Sequence, residues 1–204
     1  MSKVTAEISV SLDGYVAGPN DGVGNGLGDG GERLHEWVVR LASWRAAHGR
    51  EGGETGPEDD LFAESFAKVG AAVMGRRMFD HAEGPWGEEP PFHYPVFVLT
   101  RRPREPLVKE GGTTFTFVEE GIESALEQAR AAAGEKDVAV ASGQAIQQFI
   151  AAGLLDELQL HVVPIFLGGG VSLFGQLGPE AGELECTRAI ASPGVTHLKY
   201  RVVK

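Results

Sequence analysis

The 204-residue sequence contains a single cysteine, Cys186, so no disulfide can form within the chain. A chain without disulfides is typical of a reducing cytoplasm, and the N-terminal segment lacks the long apolar stretch of a secretory signal peptide. No apolar run reaches the roughly 18 residues that a membrane-spanning helix needs. The sequence therefore predicts a cytoplasmic protein with no membrane partner.

Basic residues are also scarce, with 18 Lys and Arg against 29 Asp and Glu and a formal net charge of −11. Proteins that bind nucleic acid through its phosphates need a basic surface, so we expect no nucleic-acid partner. The His residues show no zinc-ligand spacing, and we expect no metal site. The motifs GxGxxG, GxxxxGK[ST] and GxSxG are absent, which disfavours an ordinary Rossmann site, a P-loop and a serine hydrolase.

Short apolar runs alternate with amphipathic segments along the chain. The runs predict strands over residues 4–10, 71–74, 96–99 and 113–118, and helical spacing of apolar residues predicts helices over residues 32–48, 57–69 and 121–133. Residues 19–31 are too rich in Gly and Asp to be regular, and they are interpreted as either a mobile lid or a surface loop.

Residues 136–170 predict a strand, a glycine turn, a helix and a second strand, which together form one βαβ unit. The turn Ser142-Gly143-Gln144 opens the helix, and its free backbone N–H groups would stabilise an anion. Residues 184–190 and 195–203 predict a closing antiparallel pair. The order of elements predicts a single α/β domain over residues 1–204. We expect three αβα layers, with a mixed, mostly parallel central sheet and an antiparallel C-terminal edge.

Three predicted strands end in turns that suit phosphate. Gly75-Arg76-Arg77 follows one strand, Thr100-Arg101-Arg102 follows another, and Ser142-Gly143-Gln144 follows a third. Ligands of open α/β sheets bind at the carboxyl ends of the strands, and guanidinium groups suit phosphate. Each turn alone is explained equally well as an ordinary solvated turn with no ligand. Together they predict a ligand with at least two phosphate groups, such as a dinucleotide that carries a 2′-phosphate.

Several short motifs together resemble the dihydrofolate reductase-like family, in particular its riboflavin-biosynthesis reductase (RibD) C-terminal domain branch. The resemblance spans nearly the whole chain, with residues of about 24–57 as an insertion. The motifs are SLDGYVAG at 11–18, VMGRRMF at 73–79, VLTR at 98–101, the Gly143 turn, LDEL at 155–158, and LGGG at 167–170 followed by Leu173-Phe174.

The resemblance implies an NADPH-binding fold that is usually homodimeric. It places the pyrophosphate and 2′-phosphate at Gly75, Arg76 and Arg77. It places the adenosine end at Thr100, Arg101 and Arg102. The turn that cradles the pyrophosphate would be Gly143, Gln144, Ala145 and Ile146, preceded by Ser142. The residues that flank the nicotinamide would be Leu12, Val16 and Ala17.

Ser142 stands where many members of the family have glycine. Its hydroxyl could turn toward a phosphate, or its side chain could crowd the ligand. Both alternatives stay open at the level of sequence.

Reduction of a C=N bond needs a proton source, and a carboxylate in an apolar pocket can orient the substrate. By resemblance, the catalytic acid opens the helix before the Met-Gly-Arg strand, where Asp59 and Asp60 stand. The alternative is that both are ordinary acids of a first helical turn. His35 and Trp37 would border the substrate, or else pack in the core. His161 is interpreted as a structural residue.

The sequence thus favours an NADPH-dependent reductase of a small pterin-like or pyrimidine-derived heterocycle. The alternative is a non-catalytic nucleotide- or ligand-binding dimer on the same fold, because a fold alone does not determine function.

Overall fold

The computed structural model describes residues 2–178 and 181–203. The strands are β1 (Val4–Ser11), β2 (Tyr15–Ala17), β3 (Val69–Gly75), β4 (Val96–Leu99), β5 (Leu107–Val108), β6 (Thr114–Val118), β7 (Asp137–Ala141), β8 (Glu157–Val163), β9 (Val171–Ser172), β10 (Glu183–Ser192) and β11 (Val195–Val203). The α-helices are α1 (Glu36–Val39), α2 (Ala42–Ala47), α3 (Pro57–Lys68), α4 (Arg76–Trp86), α5 (Ile122–Ala133) and α6 (Gly143–Ala151). Within the described residues, no helix has both the length and the apolar character needed to cross a bilayer.

The central sheet has nine strands in the order β10-β11-β8-β1-β7-β3-β4-β6-β5, and β2 pairs with β9 separately. The pairs from β8 to β6 are parallel. Strands β11 and β10 are antiparallel at one edge, and β5 is antiparallel at the other. The predicted three-layer fold with a mostly parallel sheet and an antiparallel C-terminal edge is confirmed. In the predicted βαβ unit, β1 lies between β7 and β8.

One face of the sheet is closed by α5 and α6. Val4, Ala6 and Val10 of β1 point to this face because side chains alternate along a strand. Ile146 and Phe149 of α6 are fully buried against them and their neighbours. The apolar periodicity of the sequence therefore corresponds to a continuous core on this side.

The opposite face is only partly covered by apolar packing. One cluster surrounds Phe79 of α4, and a second joins Trp37 and Leu41 to the β8–β11 edge. Between the clusters, β1 and β8 present polar side chains that alternate with their buried apolar residues. We call these residues the polar strip, and they are Glu7, Ser9, Gln159 and His161.

The predicted continuous helix over residues 32–48 is wrong. A 3-10 turn over Gly31–His35 leads into the short helices α1 and α2. Between them Leu41 is extended, with φ −69° and ψ 143°. The chain beside it pairs with the segment around Glu54, which accepts from Ala42 N at 2.9 Å and donates to Arg40 O at 2.8 Å. Backbone pairing with a distant segment therefore overrides the local helical pattern.

The glycine-rich residues 19–31 form a compact, hydrogen-bonded loop. Gly18 N donates to Leu27 O, and Asp29 N donates to Pro19 O, both at 2.8 Å. A Cβ atom on Gly28 would lie 2.1 Å from Gly18 O, so glycine is required where these backbones meet. The composition of the loop thus reflects close packing as well as irregular conformation.

Truncation of a side chain through which α6 packs into the core should lower the stability of the protein. Phe149 is fully buried, and Phe149→Ala should lower the free energy of unfolding by about 3–5 kcal/mol because it leaves a cavity. Phe166 is 70% exposed, so Phe166→Ala should change that free energy by less than about 0.5 kcal/mol. Urea denaturation of both variants measures the difference. Similar losses would contradict the assigned packing of α6.

Candidate functional site

A cavity of about 920 Å³ lies over the polar strip. Apolar residues of α3 and α4 form two of its walls, and Trp37 of α1 forms part of a third. One end of the cavity reaches Gly75 and the Ser142-Gly143 turn, where β3 and β7 end. The cavity therefore connects a polar sheet face to the carboxyl ends of parallel strands, which is where ligands bind in α/β folds.

The three turns predicted from sequence lie side by side on one rim of the sheet. Strands β7, β3 and β4 are neighbours, so their carboxyl ends are adjacent. Gly75 N donates to Ser142 Oγ at 3.2 Å, and Arg76 Nη1 donates to Thr100 Oγ1 at 3.3 Å. Side-chain hydrogen bonds thus join the ends of all three strands.

Ser142 has a backbone conformation that is unusual for a residue with a side chain. Its φ is 82° and its ψ is 140°, a region occupied almost only by glycine. Its Oγ accepts from Gly75 N and from Ala145 N, the latter at 3.4 Å. A Cβ atom on Gly75 would lie 2.8 Å from this oxygen. The hydroxyl therefore faces Gly75 and caps α6, and it holds two amides that a phosphate could otherwise contact.

The remaining amides of this turn stay available. Ala145 N and Ile146 N are bonded to Ser142, and the Ala145 and Ile146 side chains are buried in the core. The amides of Gly143 and Gln144 make no hydrogen bond within the described residues. A Cβ atom on Gly143 would lie 3.0 Å from Val16 Cγ2, so β2 closely borders this turn. Two free N–H groups at the start of the nine-residue helix α6 suit an anion.

Arg76 and Arg102 share one carboxylate on the rim. Arg76 Nε and Arg102 Nη2 each lie 2.6 Å from an oxygen of Asp80. Partial burial disfavours ionisation of Asp80, but the hydrogen bonds and charges of the two Arg outweigh it and lower the pKa of Asp80. Arg101 is exposed, and its guanidinium makes no ion pair with a described residue. Two guanidinium groups therefore share one carboxylate, and Arg101 adds a further positive charge on the turn after β4, so positive charge exceeds negative charge among these four residues.

Arg77 has a different partner from the one that sequence predicts. Its Nε and Nη2 donate to the two carboxylate oxygens of Asp21 at 2.8 and 2.6 Å. Asp21 belongs to the glycine-rich loop, so this pair attaches the loop to α4 beside the cavity. Arg77 lines the cavity, although its charge is already neutralised there.

The other residues predicted for the cofactor lie at the same end. Val16 and Ala17 line the cavity, and Ala17 is buried. Leu12 is 59% exposed beside them, and its N–H donates to Ile165 O at 2.9 Å. Asp13 of the same motif accepts from Ser11 Oγ and Gly168 N, and these hydrogen bonds lower its pKa.

His35 and Trp37, predicted to border the substrate, both line the cavity. Trp37 Nε1 donates to Ser9 Oγ at 3.0 Å, and its ring centroid lies 4.5 Å from that of His161. Burial lowers the pKa of His35, which favours its neutral form. The two residues therefore form a wall next to the polar strip, and Trp37 also packs in a core cluster.

Asp59 and Asp60 do not line the cavity. Asp59 accepts from the backbone N of Ser43 at 2.7 Å and from its hydroxyl, at the start of α2. Asp60 is exposed. A catalytic role for these two acids stays a prediction, and this geometry instead fits a helix-capping role for Asp59.

The polar strip provides a carboxylate that sequence reasoning missed. Glu7 Oε1 accepts from Gln159 Nε2 at 3.0 Å and from His161 Nε2 at 2.8 Å. His161 Nδ1 lies 2.7 Å from Nδ1 of the buried His197. The alternation of Thr5, Glu7 and Ser9 with apolar residues in β1 was the available signal, because it predicts a polar sheet face. In the described residues, no group of His, Cys, Asp or Glu is arranged to hold a metal ion.

Comparison with solved structures places the fold among dihydrofolate reductase-like proteins. A protein from Shewanella sp. PV-4 that is assigned to riboflavin biosynthesis superposes with a TM-score of 0.72 at 24% identity, covering 99% of both chains. Dihydrofolate reductase from Enterococcus faecalis, complexed with NADP(H), gives a TM-score of 0.57 at 13% identity, covering 99% of this chain and 97% of that one.

The sequence also identifies the family. Residues 2–198 match the model of the RibD C-terminal domain, and the chain belongs to that family. A diaminohydroxyphosphoribosylaminopyrimidine deaminase/5-amino-6-(5-phosphoribosylamino)uracil reductase from Thermotoga maritima gives a TM-score of 0.63 at 12% identity. That alignment covers 99% of this chain and 57% of the Thermotoga chain. Among curated proteins, none matches this sequence.

The strained backbone at Ser142 can be tested with two substitutions. Ser142→Ala keeps the strain and loses both hydrogen bonds, so we expect a loss of about 1–2 kcal/mol in the free energy of unfolding. Ser142→Gly also loses them but relieves the strain, and it should be more stable than Ser142→Ala by at least about 1 kcal/mol. Urea denaturation compares the two. An alanine variant at least as stable as the glycine variant would contradict the strain.

The buried His197 should make stability depend on pH. Burial, followed by the nearby His161, lowers the pKa of His197 to about 4, whereas an unfolded His titrates near about 6.5. Between these values the unfolded chain binds a proton that the folded protein excludes. The free energy of unfolding should therefore fall as pH drops through this window, by up to about 1.4 kcal/mol per pH unit from this group.

His197→Asn keeps a polar atom beside His161 but does not titrate. Its free energy of unfolding, measured in urea at pH 7, 5.5 and 4.5, should have a shallower pH dependence than that of the unsubstituted protein. Equal slopes would show that His197 is not the group responsible.

Proposed function

We propose that this protein is an NADPH-dependent reductase of a small pterin-like or pyrimidine-derived heterocycle. The observation that carries the proposal is one continuous cavity. It runs from the free amides of the Gly143 turn to the polar strip beneath Trp37. Such a cavity can hold the reactive end of a dinucleotide and a planar ring side by side, at a size within the usual range for ligand sites.

The residues at the rim fit a phosphorylated dinucleotide. The amides of Gly143 and Gln144 can receive the pyrophosphate at the α6 N-terminus. The pair Arg76 and Arg102, which share Asp80, together with the exposed Arg101 on the same turn as Arg102, suits a 2′-phosphate. Thr100 joins this group through its hydrogen bond from Arg76. The nicotinamide would lie at the Val16 and Ala17 end of the cavity, and the exposed Leu12 would flank it from outside the cavity lining.

The comparisons support the same assignment by analogy. The Enterococcus structure with a similar fold is a reductase that was solved with NADP(H), and the Thermotoga protein is a bifunctional deaminase and uracil reductase. When bound, NADPH supplies a hydride. In reduction of a C=N bond, the substrate carbon takes that hydride and the nitrogen takes a proton. The chain's own residues orient the ring on the polar strip and enclose it between α3 and α4.

Two further parts of the proposal concern the protein's setting. We expect a cytoplasmic protein, and we expect a homodimer. Within the described residues β10 is an edge strand with no partner strand on its outer side, and Leu184 on β10 is 45% exposed, which supports association with a second copy. Sedimentation velocity tests the homodimer.

One observation favours the alternative of a non-catalytic ligand-binding protein. Asp21 already neutralises Arg77, and Asp80 forms ion pairs with both Arg76 and Arg102. The Ser142 hydroxyl accepts hydrogen bonds from two amides that could otherwise bind a phosphate. Binding of NADPH without turnover would agree with this alternative. Absorbance at 340 nm, followed with 7,8-dihydrofolate and with 5-amino-6-(5-phosphoribosylamino)uracil, tests for turnover. Consumption of NADPH that depends on either compound supports the reductase.

Arg76→Ala should separate the two nicotinamide cofactors. If Arg76 contacts the 2′-phosphate, the Kd for NADPH rises about 10-fold or more, while the Kd for NADH rises less than about threefold. Fluorescence titration measures both constants. Arg130→Ala, on the exposed surface of α5, is the matched control and should change neither. Equal losses for both cofactors in Arg76→Ala would exclude the 2′-phosphate contact.

A further inference from the structure

Glu7 has a half-satisfied carboxylate on the floor of the cavity. Its Oε1 accepts from Gln159 and from His161, as described above. Its Oε2 makes no hydrogen bond with any described residue, and the side chain is 31% exposed. One oxygen is thus fixed by the protein, and the other is left free to accept from a ligand.

The hydrogen bond from His161 is supported from behind. Because His161 donates through Nε2 to a carboxylate, its neutral form accepts at Nδ1 from the Nδ1–H of His197. The Trp37 ring packs against both imidazoles, with centroid distances of 4.5 and 5.0 Å. These contacts come from three neighbouring strands and α1, so the direction of the Glu7 carboxylate is well determined.

The other carboxylates of the cavity lining are already engaged. Asp21 pairs with Arg77, Glu64 pairs with Lys68 and Arg188, and Glu157 pairs with Lys3 and Lys199, while Asp137 accepts from Lys3 N. Glu7 has no Lys or Arg partner among the described residues. A partly buried carboxylate without a cation is stabilised by additional hydrogen-bond donors, which a ligand can provide.

We propose that Glu7 recognises the substrate, with Oε2 accepting hydrogen bonds from an amino or N–H edge of a heterocycle. His161 and His197 act as positioning residues for this contact. The site therefore favours a 2-amino-4-oxo ring over a 2,4-dioxo ring when position 2 faces the carboxylate, because the amino group there donates to Oε2, whereas an oxo group in its place is a second acceptor and is repelled. The inference rests on the proposed function only in taking the cavity to hold a heterocycle.

Pterin and lumazine are matched probes, since they differ only in an amino or an oxo group at position 2 and the protonation that goes with it. We expect the unsubstituted protein to bind pterin at least about 10-fold more tightly than lumazine by isothermal titration calorimetry. Glu7→Gln, which offers a donor as well as an acceptor, should reduce this ratio to within about threefold. Glu157→Gln removes a cavity carboxylate that two Lys residues already neutralise, and it should keep the ratio.

The positioning role is tested by a conservative rescue. The amide nitrogen of His161→Gln can take the place of Nε2 and donate to Glu7, so this variant should keep at least about a third of the pterin preference. His161→Leu cannot donate and should lose it. Thermal melts identify any variant that has unfolded. A purely structural His161 would make both variants change stability without separating their pterin-to-lumazine ratios, and that result would overturn the positioning role.

The outcomes separate this inference from the proposed function. An unchanged ratio in folded Glu7→Gln, or a preference for lumazine in the unsubstituted protein, overturns the role of Glu7. Failure to bind either ring overturns it as well. Each of these results can occur while NADPH still binds and is consumed with another heterocycle. Loss of the proposed function instead requires that the unsubstituted protein fails to bind NADPH or to turn it over.

Discussion

The hydrogen-bonding needs of the polar strip determine where the helices on one face of the sheet can pack. Polar side chains that are buried without partners cost free energy, so an apolar helix cannot cover them directly. Helix α4 and the segment from α1 to α3 accordingly form separate apolar clusters on either side of the strip. The space between them is the cavity, and Trp37 satisfies part of the strip through Ser9. On the opposite face, apolar side chains of β1, β7 and β8 pack against α5 and α6, which close that face.

On the rim formed by the ends of β3, β4 and β7, carboxylates of this acidic protein offset a local excess of positive charge. Asp80 lies between two guanidinium groups, and Asp21 faces a third, so Arg side chains are held in place without a ligand. Partly exposed pairs of this kind are worth little in isolation, which makes exchange of a carboxylate for a phosphate inexpensive. Because Asp21 lies on the glycine-rich loop, the charge state of the rim is connected to the position of that loop.

The sequence predicted the layers, the strand order of the C-terminal pair and the three adjoining turns, because these depend on periodicity and on the ends of strands. It did not predict the break at Leu41, since that break results from backbone pairing with the segment around Glu54. The partners of Arg77 and Asp59 were equally inaccessible, because Asp21 lies on a loop and Ser43 on the short helix α2, and no local pattern specifies how either segment is placed. Glu7 is different. Its alternation in β1 was visible, but its importance depends on His161 and His197 of strands that are distant in sequence.

The two ends of the cavity are built in different ways, and this bears on how such a site can change. The cofactor end that we propose combines backbone amides of the Gly143 turn with Arg side chains of the rim, on strand ends that the sheet register places side by side. The substrate end consists of side chains at alternate positions of β1 and β8. Substitution at these positions alters one face of the sheet and leaves the buried core on the other face intact. A fold of this kind can therefore keep one cofactor while substitutions in its polar strip change which ring it binds. Glu7 is the position at which such a substitution would have the largest effect on hydrogen-bond selectivity.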